Sequence, residues 1–438
     1  MNSLDRRNLS SKLYKSLQEL QETVFQKLHE KNYQFIIISL FFVLGLVLRL
    51  YSTLTTVVVV PDANGYIALA KTFKELRFSE YQIPREPGFP LMLTLVFLFF
   101  PNDFTTSRIT TAITGAFVIP LTYIAANSLQ DRLKKENQST SIMISYIATL
   151  LVTINPYTVL TDGRGLREPL TGVLILLLLT FYFRLQTEPT SKNMILVTVL
   201  STVAISVKFE MLFITMALAI LFLFYRFSHY GLSRANWKEW LKYTAIPVII
   251  FSFYLLLDMT TTILLDGLSI SNDHASRYYE REFGTYKSLT VLEYVFEYHS
   301  ITQIISYIYH GIAESFTLYY YIFNLFGFAL VVLGFFYLVD KNHFEIPVLI
   351  TLSILPQAFF IHAWGWKADI WRLFLPYVPI ACICIGFILI KVISDIKIQI
   401  YPNKYVIVSR LILIAIALLY FTVVYLIGSF SMIATFQP

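Results

Sequence analysis

The chain has 438 residues, of which 56% are hydrophobic and only 14% charged, with a mean hydropathy of +0.63. Too few polar side chains are present to cover a water-soluble globule of this size, which excludes a soluble enzyme, a nucleic-acid-binding domain and a disordered chain. The formal net charge of +6 needs no nucleic acid, because a multi-pass membrane protein gathers Lys and Arg in its cytoplasmic loops.

In chain order, residues 1–33 are polar and carry Leu13, Leu17, Leu20, Val24 and Leu28 at helical spacing, the stripe of an amphipathic helix on the cytoplasmic surface. The apolar run that follows continues to about Val60 without a small-residue cleavage site, so it reads as a first span rather than a signal peptide. Residues Arg6, Arg7, Lys12, Lys15, Lys27 and Lys31 hold the N-terminus inside. After a polar loop from Pro61 comes FPLMLTLVFLFF, an apolar run of about 12 residues closed by Pro101, shorter than the roughly 17 that a span requires. It reads as a re-entrant or interfacial helix. The span Arg108–Asn127 then runs inward and leaves Arg132, Lys134 and Lys135 in a cytoplasmic loop.

The next span ends near Pro156, and the segment Tyr157–Glu168 emerges on the same face as Asp62 and Arg85. Further spans are expected over Pro169–Tyr182, Met194–Val207, Phe209–Tyr225, Tyr243–Leu265, Phe316–Val339, Ile346–Ile361, Leu373–Ile390 and Tyr405–Gly428. The expected fold is all-α, a polytopic helical bundle of about 11 spans plus the re-entrant piece. Its organisation is 1–33 as the amphipathic helix, 34–265 as a membrane module with external loops 61–107 and 157–168, 266–315 as an external interfacial loop, and 316–438 as a C-terminal bundle. Cys382 and Cys384 lie two apart in an apolar run and read as packing residues.

Charge at a membrane boundary calls for a reason, because a charged side chain at mid-bilayer costs roughly 2.5–3.5 kcal/mol on insertion scales. Five clusters qualify: Asp62; Arg85 with Glu86; Asp162, Arg164, Arg167 and Glu168; Lys208 with Glu210; and Lys367, Asp369 and Arg372. All fall at external helix ends in this threading. Asp62, in PDANGY, precedes an apolar stripe of Ile67, Ala70, Phe73 and Leu76, and equally fits a helix N-cap. Prolines frame Arg85 and Glu86 in a stiff extended turn, where an Arg can grip phosphate with a bidentate fork or simply snorkel. Glu168 precedes Pro169 and suits a first helical turn, where the helix dipole alone would favour it.

In their order these elements resemble the polytopic GT-C glycosyltransferases, especially the family 39/83-type branch of the protein O-mannosyltransferases and the lipid A aminoarabinose transferase. The resemblance rests on PDANGY after the first span, the Pro-framed element Pro84–Pro90, the span SRITTAITGAFVIPLTYIAANSL, the stretch from Asn155 and Pro156 to Glu168 and Pro169, SVKFE, and WRLFLPYVP. It implies transfer of a sugar from a polyprenyl-phosphate carrier, dolichyl or undecaprenyl, to a glycan, lipid or protein hydroxyl on the extracytoplasmic face, by inverting displacement. By position it implies Asp62 as general base and Glu168 as second acidic residue, with Arg85, Glu86, Arg164, Lys208 and Arg372 around the lipid phosphate and sugar. Ala63 stands where many relatives carry a second acid, so a metal held by adjacent carboxylates has no support here, and a divalent metal is left open with no cofactor assigned. The expected host is a prokaryotic plasma membrane rather than the endoplasmic reticulum. The alternative from another class is a secondary transporter or flippase for a lipid-linked or anionic substrate.

Overall fold

A computed structural model describes Lys27 and residues 30–55, 61–78, 85–135, 142–230, 237–264, 270–341, 343–364 and 370–395. The described residues form helices and their connections. In chain order these are α1 (Lys31–Thr55), α2 (Pro61–Lys74), α3 (Gly88–Phe97), α4 (Phe104–Lys135), α5 (Met143–Ile154), α6 (Pro156–Asp162), α7 (Glu168–Thr187) and α8 (Ser191–Val207). They continue with α9 (Met211–Tyr230), α10 (Trp237–Leu264), α11 (Ile270–Phe283), α12 (Val291–Phe296), α13 (Ile301–Asp340), α14 (Glu345–Trp364), a 3₁₀ segment (Ile370–Tyr377) and α15 (Val378–Asp395). The amphipathic stripe from Leu13 to Leu28, the pair Lys367 and Asp369, and the span Tyr405–Gly428 lie outside the described residues.

Seven described helices are long and apolar enough to cross a membrane, and α5 with α6, bent by 55° at Asn155, would make an eighth. The count of about 11 expected from hydropathy is not confirmed among the described residues, which leave out the expected span Tyr405–Gly428. Two further expected spans are shorter apolar helices, α8 with 17 residues and the stretch Glu345–Ile354 of α14; α13, one of the seven, runs 40 residues from Ile301, inside the stretch assigned to a loop, with a break at Asn324. There the backbone takes φ 56°, and the Asn324 side chain accepts from the N–H groups of Phe326 and Gly327 at 3.1 and 3.2 Å, capping the second half. The interfacial composition before it folds as α11, α12 and the first turns of α13. Two capping boxes start the latter helices, Thr290 with Glu293 and Ser300 with Gln303. Cys382 and Cys384 are free and buried.

The short apolar run is a separate helix, as its length requires. α3 ends at Phe97, and the Lys74 ammonium donates to the Phe97 carbonyl at 2.6 Å, placing a cation on its negative end. α2 packs alongside through buried Ala63, Tyr66, Ile67, Ala70 and Phe73. Leu76 does not join that stripe: the helix stops at Lys74, and Leu76 turns outward with φ 55°.

One end of the bundle is closed by polar groups. Arg132, expected in a loop, lies inside α4, where it donates to Gln186 at 2.7 Å and pairs with Glu345, while Gln186 donates to Tyr182 at 2.9 Å. α7 runs from Glu168 at the other end to this network through 20 residues, about 30 Å of helix and so about one hydrocarbon core.

Close approach at Gly88 ties α3 to the end of α8. A Cβ there would lie 2.5 Å from the Ser206 hydroxyl and 2.7 Å from the Ser206 backbone. Gly88→Ala is therefore expected to lower stability by about 1–3 kcal/mol through overpacking, read as a lower unfolding midpoint of the purified protein; an unmoved midpoint would show that α3 and α8 can part freely.

Candidate functional site

Four side chains from four separate segments meet at the rim of the bundle where α2 and α7 begin. Asp62 stands in the first turn of α2, after Pro61, where exposed N–H groups favour a carboxylate. Arg85 donates from Nη2 to Asp62 Oδ1 at 2.5 Å. From the other side Arg372, in the 3₁₀ segment, donates to Asp62 Oδ2. Arg372 Nε also comes within 4.0 Å of Glu168 Oε1. Glu168 opens α7 next to Pro169, and its Oε2 is buried with no hydrogen-bond partner among the described residues.

Burial pushes the Asp62 carboxyl up, but Arg372 and Arg85 outweigh it and hold the group below the ordinary carboxylate value. The Arg85 guanidinium also stacks over the Tyr66 ring at 5.6 Å, and Tyr66 meets Phe89 edge-on at 5.0 Å. Residues as distant as 62 and 372 thus share one partly open pocket: the side chain of Asp62 is 25% exposed and that of Arg372 12%.

The remaining expected site residues lie around this group rather than in it. Glu86 points away from Arg85 and is buried against Arg167, with Oε1 accepting from the Phe209 N–H at 3.3 Å. Lys208 is buried in the same layer, 3.9 Å from Glu210. Arg164 is buried in the loop between α6 and α7, near enough to Arg108 for the two charges to repel. Arg108 in turn donates to the Gly163 carbonyl at 2.7 Å.

Beneath the loop lies an ion pair that sequence reasoning passed over. Arg49, fully buried in α1, donates to Asp162 Oδ2 at 2.6 Å and to Thr158 at 3.3 Å. Its signal was present in LVLRL, a lone charge inside an apolar run. The bend above it comes from Asn155, whose side chain accepts from the N–H groups of Tyr157 and Thr158 at 3.1 Å and starts α6.

An apolar cavity of about 230 Å³ lies between α13 and α14. Ile312, Phe316 and Tyr319 line it before the α13 break, with Phe328, Phe335 and Ile354 after it and across on α14. Tyr319 meets the ring of Phe374 at 5.5 Å, two residues beyond Arg372, and Phe316 and Phe336 are exposed.

Among the described residues the donor set does not fit a divalent cation. Guanidinium groups occupy both oxygens of Asp62, Glu168 is reached only across Arg372, and among the described residues no three His, Cys, Asp or Glu side chains gather.

No family model and no curated protein sequence matches the chain. Solved structures do. The oligosaccharyltransferase of Archaeoglobus fulgidus, solved in complex with zinc and sulfate, superposes over 90% of this chain and 52% of its own, with a TM-score of 0.54 at 13% identity. The same organism's AglB, solved with an inhibitory peptide and a dolichol-phosphate, gives a TM-score of 0.54 at 13% identity, over 90% of this chain and 55% of its own. ArnT from Cupriavidus metallidurans, bound to undecaprenyl phosphate, gives 0.51 at 12% identity, over 91% of this chain and 71% of its own. The chain spans about half the length of the archaeal proteins. It shares the fold of these proteins.

Proposed function

We propose that this protein is a membrane glycosyltransferase that moves a sugar from a polyprenyl phosphate to an acceptor hydroxyl at the extracytoplasmic face, with inversion at the anomeric carbon. The observation that carries this reading is the Asp62 carboxylate bracketed by Arg85 and Arg372 at one rim of a GT-C bundle. The AglB and ArnT structures hold dolichol-phosphate and undecaprenyl phosphate, which supports a prenyl phosphate as the donor class. The cavity between α13 and α14, lined by Tyr319 among others, is apolar and suits part of a prenyl tail.

The chemistry asks for little acid and much positive charge. As the acceptor oxygen bonds to the anomeric carbon, the bond from that carbon to the phosphate oxygen breaks and its electron pair leaves with the phosphate. Arg85 and Arg372 are the groups placed to bind that growing charge. A preorganised donor of this kind contributes on the order of 10²–10³ in rate. The acceptor proton goes to Asp62. In the resting protein both Asp62 oxygens are engaged by the two guanidiniums; a donor phosphate competes for them and leaves the carboxylate an open lone pair. Glu168, with one oxygen unpartnered among the described residues, is placed to accept a hydrogen bond from a sugar or acceptor hydroxyl.

Transfer of label from a radiolabelled polyprenyl-phosphate sugar by the purified protein tests the reading. Label that only changes sides of a sealed vesicle would identify a transporter or flippase instead. Buried charge gathers toward the ends of the bundle rather than at mid-membrane, which favours the enzyme.

A pH prediction follows from the bracket. Because the folded-state value of Asp62 is depressed, its charged form is favoured, and that contribution is present above the ordinary carboxylate range and lost as pH falls through the folded value. Arg372→Gln removes one of the lowering charges. The acid limb of the rate profile is expected to move to higher pH, toward the ordinary carboxylate range, and a limb that stays in place would remove Asp62 as the titrating base.

A further inference from the structure

Behind the open cluster lies a second, closed one. Glu86 and Arg167 form an ion pair with side chains 2% and 9% exposed. Between them they hold both sides of the turn from α8 to α9: Glu86 accepts from the Phe209 N–H at 3.3 Å, and Arg167 donates to the Val207 carbonyl at 3.4 Å. Glu86 raises the proton affinity of Arg167 despite burial, so the guanidinium stays charged.

Each partner is chain neighbour to a member of the open site. Glu86 follows Arg85, and Arg167 precedes Glu168. Consecutive Cα atoms are about 3.8 Å apart, so fixing Glu86 and Arg167 against one another fixes where Arg85 and Glu168 leave the backbone. The two neighbours just before α3 face different ways: Arg85 reaches Asp62 while Glu86 is buried against Arg167. Gly88, pressed against Ser206, seats the same stretch on the end of α8. Burying an ion pair of this kind is a poor source of stability compared with apolar packing; holding geometry is what it does well.

We propose that Glu86 and Arg167 are positioning residues, a buried latch that acts through Arg85 and Glu168 to hold the guanidinium bracket around Asp62, and hence the phosphate-binding geometry of the proposed transferase site. The phosphate part rests on that functional reading; the bracket part does not.

The test is a cycle of variants in the full-length protein, Glu86→Gln, Arg85→Ala and both together, read in two ways. The first needs no ligand: the protonation midpoint of Asp62, followed by infrared spectroscopy as the carboxyl band missing from Asp62→Asn. Removing the negative charge of Glu86 would by itself lower that midpoint, so a rise toward the ordinary carboxylate range isolates the loss of Arg85 from its place. A rise is expected in Glu86→Gln, with no further rise when Arg85 is already alanine. The second reading is binding of undecaprenyl phosphate, expected to weaken about 10- to 100-fold in Glu86→Gln and not further in the double variant. A midpoint that falls or stays in folded Glu86→Gln, or an equal change in both backgrounds, overturns the proposal and leaves the pair a purely structural one. If Glu86→Gln does not fold, Glu86→Asp, which keeps the charge and shortens its reach, is read by the same criteria. Should the wild-type protein bind no undecaprenyl phosphate while the midpoint still rises, the transferase reading fails and the latch stands.

Discussion

Asp62→Asn is expected to reduce sugar transfer on the order of 10²–10⁴-fold, the range for loss of a general base, while the protein stays folded. Asparagine keeps the shape and can still accept from one guanidinium, but it cannot take the acceptor proton. The same change should strengthen binding of the donor phosphate. In the resting protein Asp62 occupies Arg85 and Arg372, so removing its charge frees two cations for an anion and spares the donor a competitor. Lower kcat with tighter prenyl-phosphate binding is a combination that a simply damaged site does not give. Wild-type transfer in the purified variant would refute Asp62 as the base, and weakened phosphate binding would refute the competition between carboxylate and phosphate.

How much of this was legible in the sequence depends on the physical kind of signal. Charges flanking apolar runs are expensive, so Asp62, Arg85, Glu168 and Arg372 could be marked without coordinates. That they meet, across 310 positions in the case of Asp62 and Arg372, is a property of tertiary packing that no local window carries. The choice between Arg85 and Glu86 was equally out of reach. Neighbouring residues can face different ways, and only the buried Arg167 on one side and Asp62 on the other decide which of the two is displayed.

Where a span bends or breaks was out of reach for a related reason. Hydropathy registers apolar length, not direction, so a helix bent by 55° at Asn155 and a long helix broken at Asn324 read as ordinary segments. Arg49 escaped because one charge hardly lowers the average over a 25-residue apolar helix, although its rarity there should weigh more than the average does.

Arg49 is also where the largest stability effect is expected. Its guanidinium is fully buried, paired with Asp162 at 2.6 Å and donating to the Gly45 carbonyl at 3.2 Å. The backbone packs closely around the pair: a Cβ on Gly115 would meet the Asp162 carboxylate at 2.3 Å, and one on Gly163 would meet the Thr53 hydroxyl at 2.0 Å. Arg49→Met therefore strands a buried carboxylate, which typically costs about 3–5 kcal/mol. Arg49→Met with Asp162→Asn removes both charges and should recover much of that loss, since a neutral amide costs far less to bury than an ion. Unfolding midpoints of the two variants in lipid nanodiscs decide the matter. A single variant as stable as wild type, or a double variant no better than the single, would mean that the pair does not anchor the loop from Gly163 to Glu168. The anchor matters beyond stability, because this loop carries Arg167 and leads into Glu168: a first helix with no part in the proposed chemistry would set, through one guanidinium, where the second acidic group stands.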